Sequence, residues 1–138
     1  MTAREFLNRA YKLDQRINSK LEQVAALNDL ALKATSTITG MPHNPNKGTS
    51  AMSDTICKIV DLQEEINRDI DELVDTKREI MEVIGHVTDP VSRLILEKRY
   101  INQQSWPEIA MDVKLSLRRL YYLHGQGIEE LEEKFSFS

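Results

Sequence analysis

Two arginines and two tyrosines crowd into Ser116-Leu-Arg-Arg-Leu-Tyr-Tyr122, the densest group of recognition chemistry in this chain. A guanidinium can pair with the acceptor edge of guanine or grip a phosphate. A phenol can hydrogen-bond phosphate or pack on a thymine methyl. Lys114 adds a cation just upstream, and Ser105 and Trp106 bring a hydroxyl and an aromatic ring from the preceding segment. The candidate nucleic-acid-facing set is therefore Ser105, Trp106, Lys114, Ser116, Leu117, Arg118, Arg119, Tyr121 and Tyr122. The same segment also reads as an ordinary solvated helix face, so its neighbours must decide.

Other reactive side chains do not assemble by sequence into a site. Glu65, Asp69, Asp71 and Asp75 are spaced for paired carboxylates, but Arg68 and Arg78 interleave with them and no third element matches. They read as a solvated helix face. Cys57 is the single cysteine, and His43, His86 and His124 lie far apart, so no zinc spacing appears. No nucleophile, base and orienting group stand together. Catalytic residues, metal and cofactor are all expected to be none, and the chain is not expected to be an enzyme. His124 is expected half-buried and hydrogen-bonded within its own module. Trp106 reads either as a ring packed over the core edge or as a contact to a DNA backbone.

Three helices would have to hold the candidate set. Thr88-Asp-Pro90 starts the first, with Thr88 or Asp89 as cap and proline in the first turn. It runs over about Pro90–Tyr100 and is expected to bury Val91, Leu94, Ile95 and Tyr100. Ser105-Trp-Pro-Glu108 opens the second as a capping box. Ile109 and Val113 fit its core side, and Ala110 is small enough for a close crossing. The turn Asp112-Val-Lys-Leu115 places Lys114 where a glycine is common, so a positive φ is expected there. Ser116 caps the third helix, with Leu115, Leu120, Leu123 or His124, Ile128 and Leu131 inward. Gly125 and Gly127 each cost a helix about 1 kcal/mol, which points to a kink or a close approach. This is the pattern of a helix-turn-helix, whose last helix enters the major groove.

The remainder of the 138 residues reads as a support. Hydrophobic residues make up 41% and charged residues 29%, enough to fold. No apolar run approaches the ~18 residues of a membrane span, and the N-terminus has no signal-peptide core. With one cysteine, a reducing cytoplasm is the expected location. Apolar steps at Phe6, Ala10, Leu13, Ile17, Val24, Leu27, Ala31 and Ile38 predict one long helix over about 3–37, interrupted at Lys20. Gly40 to Ser50 reads as a loop that leaves His43 in solvent. A second long helix is predicted over about 53–84, with a seam at Ile56, Ile59, Ile66, Ile70, Leu73, Ile80 and Ile84. Gln63 and Lys77 are its polar steps, reaching solvent at the seam edge or fixing register.

The expected fold is all-α. A long antiparallel, coiled-coil-like helical hairpin over 1–86 supplies oligomerisation, and a three-helix module over 87–138 follows. The net charge is −4, unevenly spread. Residues 51–88 carry four basic and ten acidic side chains, whereas 89–124 carry six and four. Acidic stretches thus flank a mildly basic module, which limits non-specific DNA affinity.

Ser105-Trp-Pro-Glu-Ile-Ala, Leu115-Ser, Arg119-Leu-Tyr-Tyr-Leu-His and Leu131 together resemble the region-four helix-turn-helix of bacterial sigma factors. Leu96–Tyr100 is similar to the end of the preceding family helix. The closing Tyr-Leu-His-Gly-Gln-Gly-Ile-Glu-Glu-Leu resembles a narrower group, the ArpU-like late-transcription regulators of Gram-positive phages and prophages. The likeness covers about residues 90–133. It implies a sequence-specific DNA-binding transcription regulator whose residues Ser116 to Tyr122 face the groove. Two departures stand out: Leu117 replaces a usually polar residue, and Glu129-Glu-Leu-Glu-Glu133 replaces a commonly basic helix end. No other sigma region is present. The expected partners are double-stranded DNA, a second copy of the chain and RNA polymerase. The rival expectations are a DNA-packaging recognition subunit of the small-terminase kind and an adaptor that docks on RNA polymerase without reading DNA.

Overall fold

The computed structural model describes the backbone of residues 1–40 and 45–137 and the side chains of 1–33 and 52–137. Its described regular structure is entirely helical. The helices are α1 (Ala3–Leu7), α2 (Arg9–Gly40), α3 (Pro45–Ile84), α4 (Pro90–Leu96), α5 (Trp106–Val113) and α6 (Leu117–Lys134), with a π-helical turn at Glu97–Ile101 after α4. The all-α expectation holds.

The first predicted helix is broken once, at Asn8. Thr2 caps α1 through a reciprocal capping box with Glu5, and the Asn8 N–H closes α1 on the Arg4 carbonyl. Residues 45–50, expected in a loop, belong to α3, which already starts at Pro45, where a missing N–H costs a first turn nothing. His43 and Ile38 lie outside the residues whose side chains are described.

The chain forms two compact units, residues 14–71 and residues 1–13 with 72–138. The expected boundary at 86/87 is not where they divide, since both divisions fall inside long helices.

The 14–71 unit is an antiparallel pair of helix segments. Rising numbers on α2 meet falling numbers on α3: Lys20 reaches Glu65 and Asp69, while Gln23 and Leu27 share a groove with Leu62 and Lys58. Ile17 and Ile66 are buried, and Val24, Leu27, Ile59 and Leu62 are half-buried between them. The seam of α3 differs from the predicted one. Ile59, Ile66, Leu73, Ile80 and Ile84 do turn inward, but Ile56 and Ile70 are exposed, and Asp69 and Thr76 occupy the buried steps instead. Lys20 supplies the reason at Asp69: its Nζ lies 2.7 Å from the carboxylate, and Arg16 approaches to 3.2 Å. These cations, with the Lys20 hydrogen bond foremost, hold Asp69 below the ordinary carboxylate range. Gln63 is exposed and Lys77 half-buried, both off the buried seam.

In the other unit, the N-terminal residues, the end of α3 and α6 share one core. Ala3, Leu7, Ile80, Ile84, Leu96 and Leu131 are fully buried there, beside Val87, Tyr100 and Ile128. Each buried Leu or Ile contributes about 1.5–3 kcal/mol. The Ala3 N–H donates to Glu132 at 2.7 Å, so the first turn is tied to α6 by polar contact as well. A second cluster, Ile95, Ile109, Leu120 and Leu123, joins α4, α5 and α6.

α4 is capped by Asp89, which accepts from the Ser92 N–H at 2.9 Å, and Pro90 occupies its first turn. Its buried face is Ser92, Ile95 and Leu96, continued by Tyr100 from the π-helical turn, while Val91 and Leu94 are exposed. The expected inward Val91 and Leu94 are therefore corrected. Close packing explains the choice: a Cβ at Gly127 would stand 3.0 Å from Leu96 Cδ1 and 3.6 Å from Ser92 Cβ. A small residue on each helix lets α4 and α6 approach; a valine or leucine at 92 would hold them apart.

Candidate nucleic-acid interface

The candidate set sits on α5, α6 and the turn between them. Ser105 caps α5 by accepting from the Glu108 N–H at 3.3 Å; the returning arm of the expected capping box is not formed. α5 ends at Lys114, which takes φ 57° and ψ 45°, the left-handed conformation expected of it. The Lys114 and Leu115 N–H groups then both return to the Ala110 carbonyl. Ser116 caps α6 by accepting from the Arg119 N–H at 3.2 Å. Two serine caps and one left-handed residue thus fix the direction in which α6 leaves α5.

Ile109, Leu120 and Leu123 anchor this pair of helices, with Val113 and Leu115 at the margin. Anchoring α6 through Leu120 and Leu123 leaves Leu117, Arg118, Arg119, Tyr121 and Tyr122 exposed, along with Lys114, Ser105 and Ser116. Ser116, Arg118, Arg119 and Tyr122 line one shallow concavity. The Arg119 guanidinium lies 5.2 Å from the centre of the Tyr122 ring, and the Tyr122 hydroxyl accepts from Gln126 Nε2 at 2.8 Å. Arg118 has no ion-pair partner among the described residues.

Of the two readings of Trp106, the packed ring is the one observed. It is half-buried, edge-on to Tyr121 at 5.2 Å and to His124 at 4.9 Å, with the Arg99 guanidinium 4.7 Å from its centre. His124 is buried and its Nε2 lies 2.7 Å from the Tyr100 hydroxyl. Burial, reinforced by the positive charge of Arg4 and Arg99, lowers His124 to about 4. Burial also raises Tyr100. His124 is thus neutral at physiological pH; its hydrogen bond within the module is the one expected of it, and it is buried rather than half-buried. The chain Tyr100, His124, Trp106, Tyr121 braces one exposed tyrosine from the core outward.

Sequence reasoning missed Arg99 and Gln126. The four-residue spacing of Tyr122 and Gln126 is a visible signal. Arg99 carries none, since it reaches Trp106 from another element. On α5, Asp112 is engaged by Lys98 and Gln104, each at 3.3 Å, which offsets part of its charge near the turn. The acidic end of α6 is partly tied inward: Glu130 accepts from Thr88 and Lys134 and is held at about 2, the Lys134 hydrogen bond being the largest cause. Glu129 and Glu133 remain exposed.

The arrangement can present two guanidiniums, two phenols and an ammonium from a rigid helix start. Among the described residues, no group of three His, Cys, Asp or Glu could hold a metal ion. No described helix is long and apolar enough to cross a membrane. Residues 45–132 match the family described as "Protein of unknown function (DUF1492)". The chain belongs to that family. The matched segment holds all of α3 and α4 and α5, and most of α6, so the shared unit is larger than the three short helices alone. No curated protein and no solved structure matches the chain.

Proposed function

We propose that this protein is a sequence-specific DNA-binding transcription regulator, of the phage or prophage kind its sequence resembles. In this reading α5 and α6 form a helix-turn-helix. The start of α6 enters the major groove, and Ser105, Lys114 and Ser116 lie near the sugar-phosphate backbone. The observation that carries it is the joint exposure of Arg118, Arg119, Tyr121 and Tyr122 on one capped helix start whose opposite side is anchored in the core. Arg118 serves as the leading base-reading side chain. Arg119, stacked on Tyr122, suits a phosphate or a second base edge. Leu117 supplies apolar contact, and Trp106 acts through Tyr121 as a support. Pairing of two copies through the long helices would match a repeated or palindromic site.

The test is selection from a random DNA library with the purified protein, followed by titration of the winning site. An enriched motif is expected. Arg118→Ala and Arg119→Ala should each weaken specific binding by about 1–3 kcal/mol, roughly 5- to 150-fold. The absence of any enriched sequence, or unchanged binding in both variants, overturns the reading.

Two observations favour a second reading. Exposed Glu129 and Glu133 follow the arginines on α6, and the net charge is −4. Both suit an adaptor docking on RNA polymerase. A steep salt dependence of DNA binding would exclude it.

A further inference from the structure

Away from the start of α6, a second concavity opens where the joint between α1 and α2 meets the π-helical turn. Its volume is about 460 Å³, within the ~300–1,000 Å³ of small-molecule pockets. Leu7 and Tyr100 are buried in its wall. Two cations, Lys12 and Arg99, line it, and no carboxylate does. Neither cation has an ion-pair partner among the described residues. Arg99 is already held in place: one guanidinium nitrogen donates to the Gln104 carbonyl at 3.0 Å, and its plane lies against Trp106. The other N–H groups of the fork are left for an oxyanion. Tyr11 is 52% exposed, and no other ring stacks on it among the described residues. Asn8, at the joint itself, adds an amide.

Gln103 is the strained member of this wall. It takes φ 57°. The Asn102 N–H returns to the Glu97 carbonyl at 3.1 Å and the Gln104 N–H to the Lys98 carbonyl at 3.0 Å, so Gln103 is the left-handed residue that ends the π-helical turn. Glycine fills such a place without strain. The Gln103 Nε2 is buried and has no hydrogen-bond partner. A left-handed side chain and an orphaned donor each cost stability. Turning the side chain outward offers that donor to a bound molecule and breaks no hydrogen bond. Strained non-glycine residues and π-helical turns both recur at ligand sites, and here the two coincide with a cationic concavity.

We propose that this concavity binds a free mononucleotide, with Lys12, Arg99 and Gln103 on its phosphate and the Tyr11 ring against its base. The two unpaired cations select an anion, and a phosphate takes charge and donors together. The volume and the open phenol ring call for more than a bare ion: a planar base stacks on such a ring. Arg99 touches both the concavity and Trp106, so occupancy is felt at the ring beside Tyr121. The test contains no DNA, so this inference and the DNA-binding reading can each fail while the other stands.

The experiment is isothermal titration calorimetry on the full chain with the common ribonucleoside 5′-monophosphates, each beside its own nucleoside and inorganic phosphate. At least one nucleotide should bind one to one, and about tenfold or more tighter than either its nucleoside or phosphate. Lys12→Ala and Gln103→Gly should each weaken that binding by roughly fivefold or more. Gln103→Gly also relieves the left-handed backbone, so misfolding cannot account for its loss. Lys58→Ala, on α3, should leave the affinity unchanged. Trp106 is the chain's one tryptophan, and its fluorescence should change with the same midpoint. Three results overturn the inference: no nucleotide saturating the protein below about 10 mM, phosphate binding as tightly as every nucleotide, or an affinity unmoved by both Lys12→Ala and Gln103→Gly.

Discussion

The hydroxyl of Tyr100 and Nε2 of His124 lie 2.7 Å apart, joining the π-helical turn to α6 beneath the exposed tyrosines. The bond relies on a neutral imidazole kept dry, and that has a measurable cost in acid.

His124 titrates near 6.5 in an unfolded chain and at about 4 in the fold. Between those values the unfolded state binds a proton that the folded state refuses, so stability rises with pH. The contribution is complete above pH 6.5 and lost as pH falls towards 4, reaching ~3 kcal/mol. Urea unfolding at pH 7.5, 5.5 and 4.5 should show that decline, and His124→Gln should flatten it. Glu130 and Asp69 are lowered carboxylates, so their losses set in as pH falls through the unfolded carboxylate range, about 4.5 and below, and the interval from pH 7.5 to 5.5 reports His124 most cleanly. An equal decline in the His124→Gln protein would assign the effect elsewhere.

Gly125 and Gly127 should respond oppositely to alanine. A Cβ at Gly125 meets nothing within 4 Å, so Gly125→Ala should gain about 0.5–1 kcal/mol of helix propensity. A Cβ at Gly127 presses on Leu96 at 3.0 Å, so Gly127→Ala forfeits that gain and Gly127→Val loses ~1–3 kcal/mol. Thermal melts of the three variants decide it; equal behaviour of the two alanines would contradict the close crossing of α4 and α6.

Lys114 separates stability from binding. Its left-handed backbone strains any residue with a Cβ, so Lys114→Gly should stabilise the fold by ~1 kcal/mol. If Lys114 touches phosphate, the same change should lower the salt slope of DNA binding by about one. A more stable variant with an unchanged slope would remove Lys114 from the interface.

Lys20 and Asp69 form a polar step inside an otherwise apolar seam, with side chains 19% and 11% exposed. Removing one partner should cost more than replacing both. Lys20→Met alone is expected to lose ~2–3 kcal/mol, and the double variant with Asp69→Leu to recover most of it. Denaturant midpoints of the four proteins in the cycle give the coupling; additive single effects would mean that the pair contributes nothing.

Much of the local geometry was legible in the residues themselves. Ser105 and Ser116 announce their caps, Lys114 its positive φ, and Gly127 a close approach, because each obeys a rule confined to a few neighbours. What escaped depends on the partner across the interface. Asp69 reads as surface until Lys20 is opposite it. Ile56 and Ile70 read as core because they keep heptad spacing with each other, although Ile70 stands one residue past buried Asp69. Ser92 is buried while Val91 and Leu94 are not, since size at the Gly127 crossing outweighs hydrophobicity; the Ser92 hydroxyl even lacks a hydrogen-bond partner there. The break at Asn8 has no signal stronger than the residue itself.

The core that joins Ala3, Leu7 and Ala10 to Leu131 and Phe137 is assembled from segments far apart in sequence. During synthesis α1 therefore waits for α6 before its apolar side is fully covered. Cutting at residue 86, where the sequence punctuates itself, would strip α6 of Leu7, Ile80 and Ile84 at a stroke. The piece that faces the groove in the proposed function is thus no portable module: grafted elsewhere, it would have to bring its beginning along.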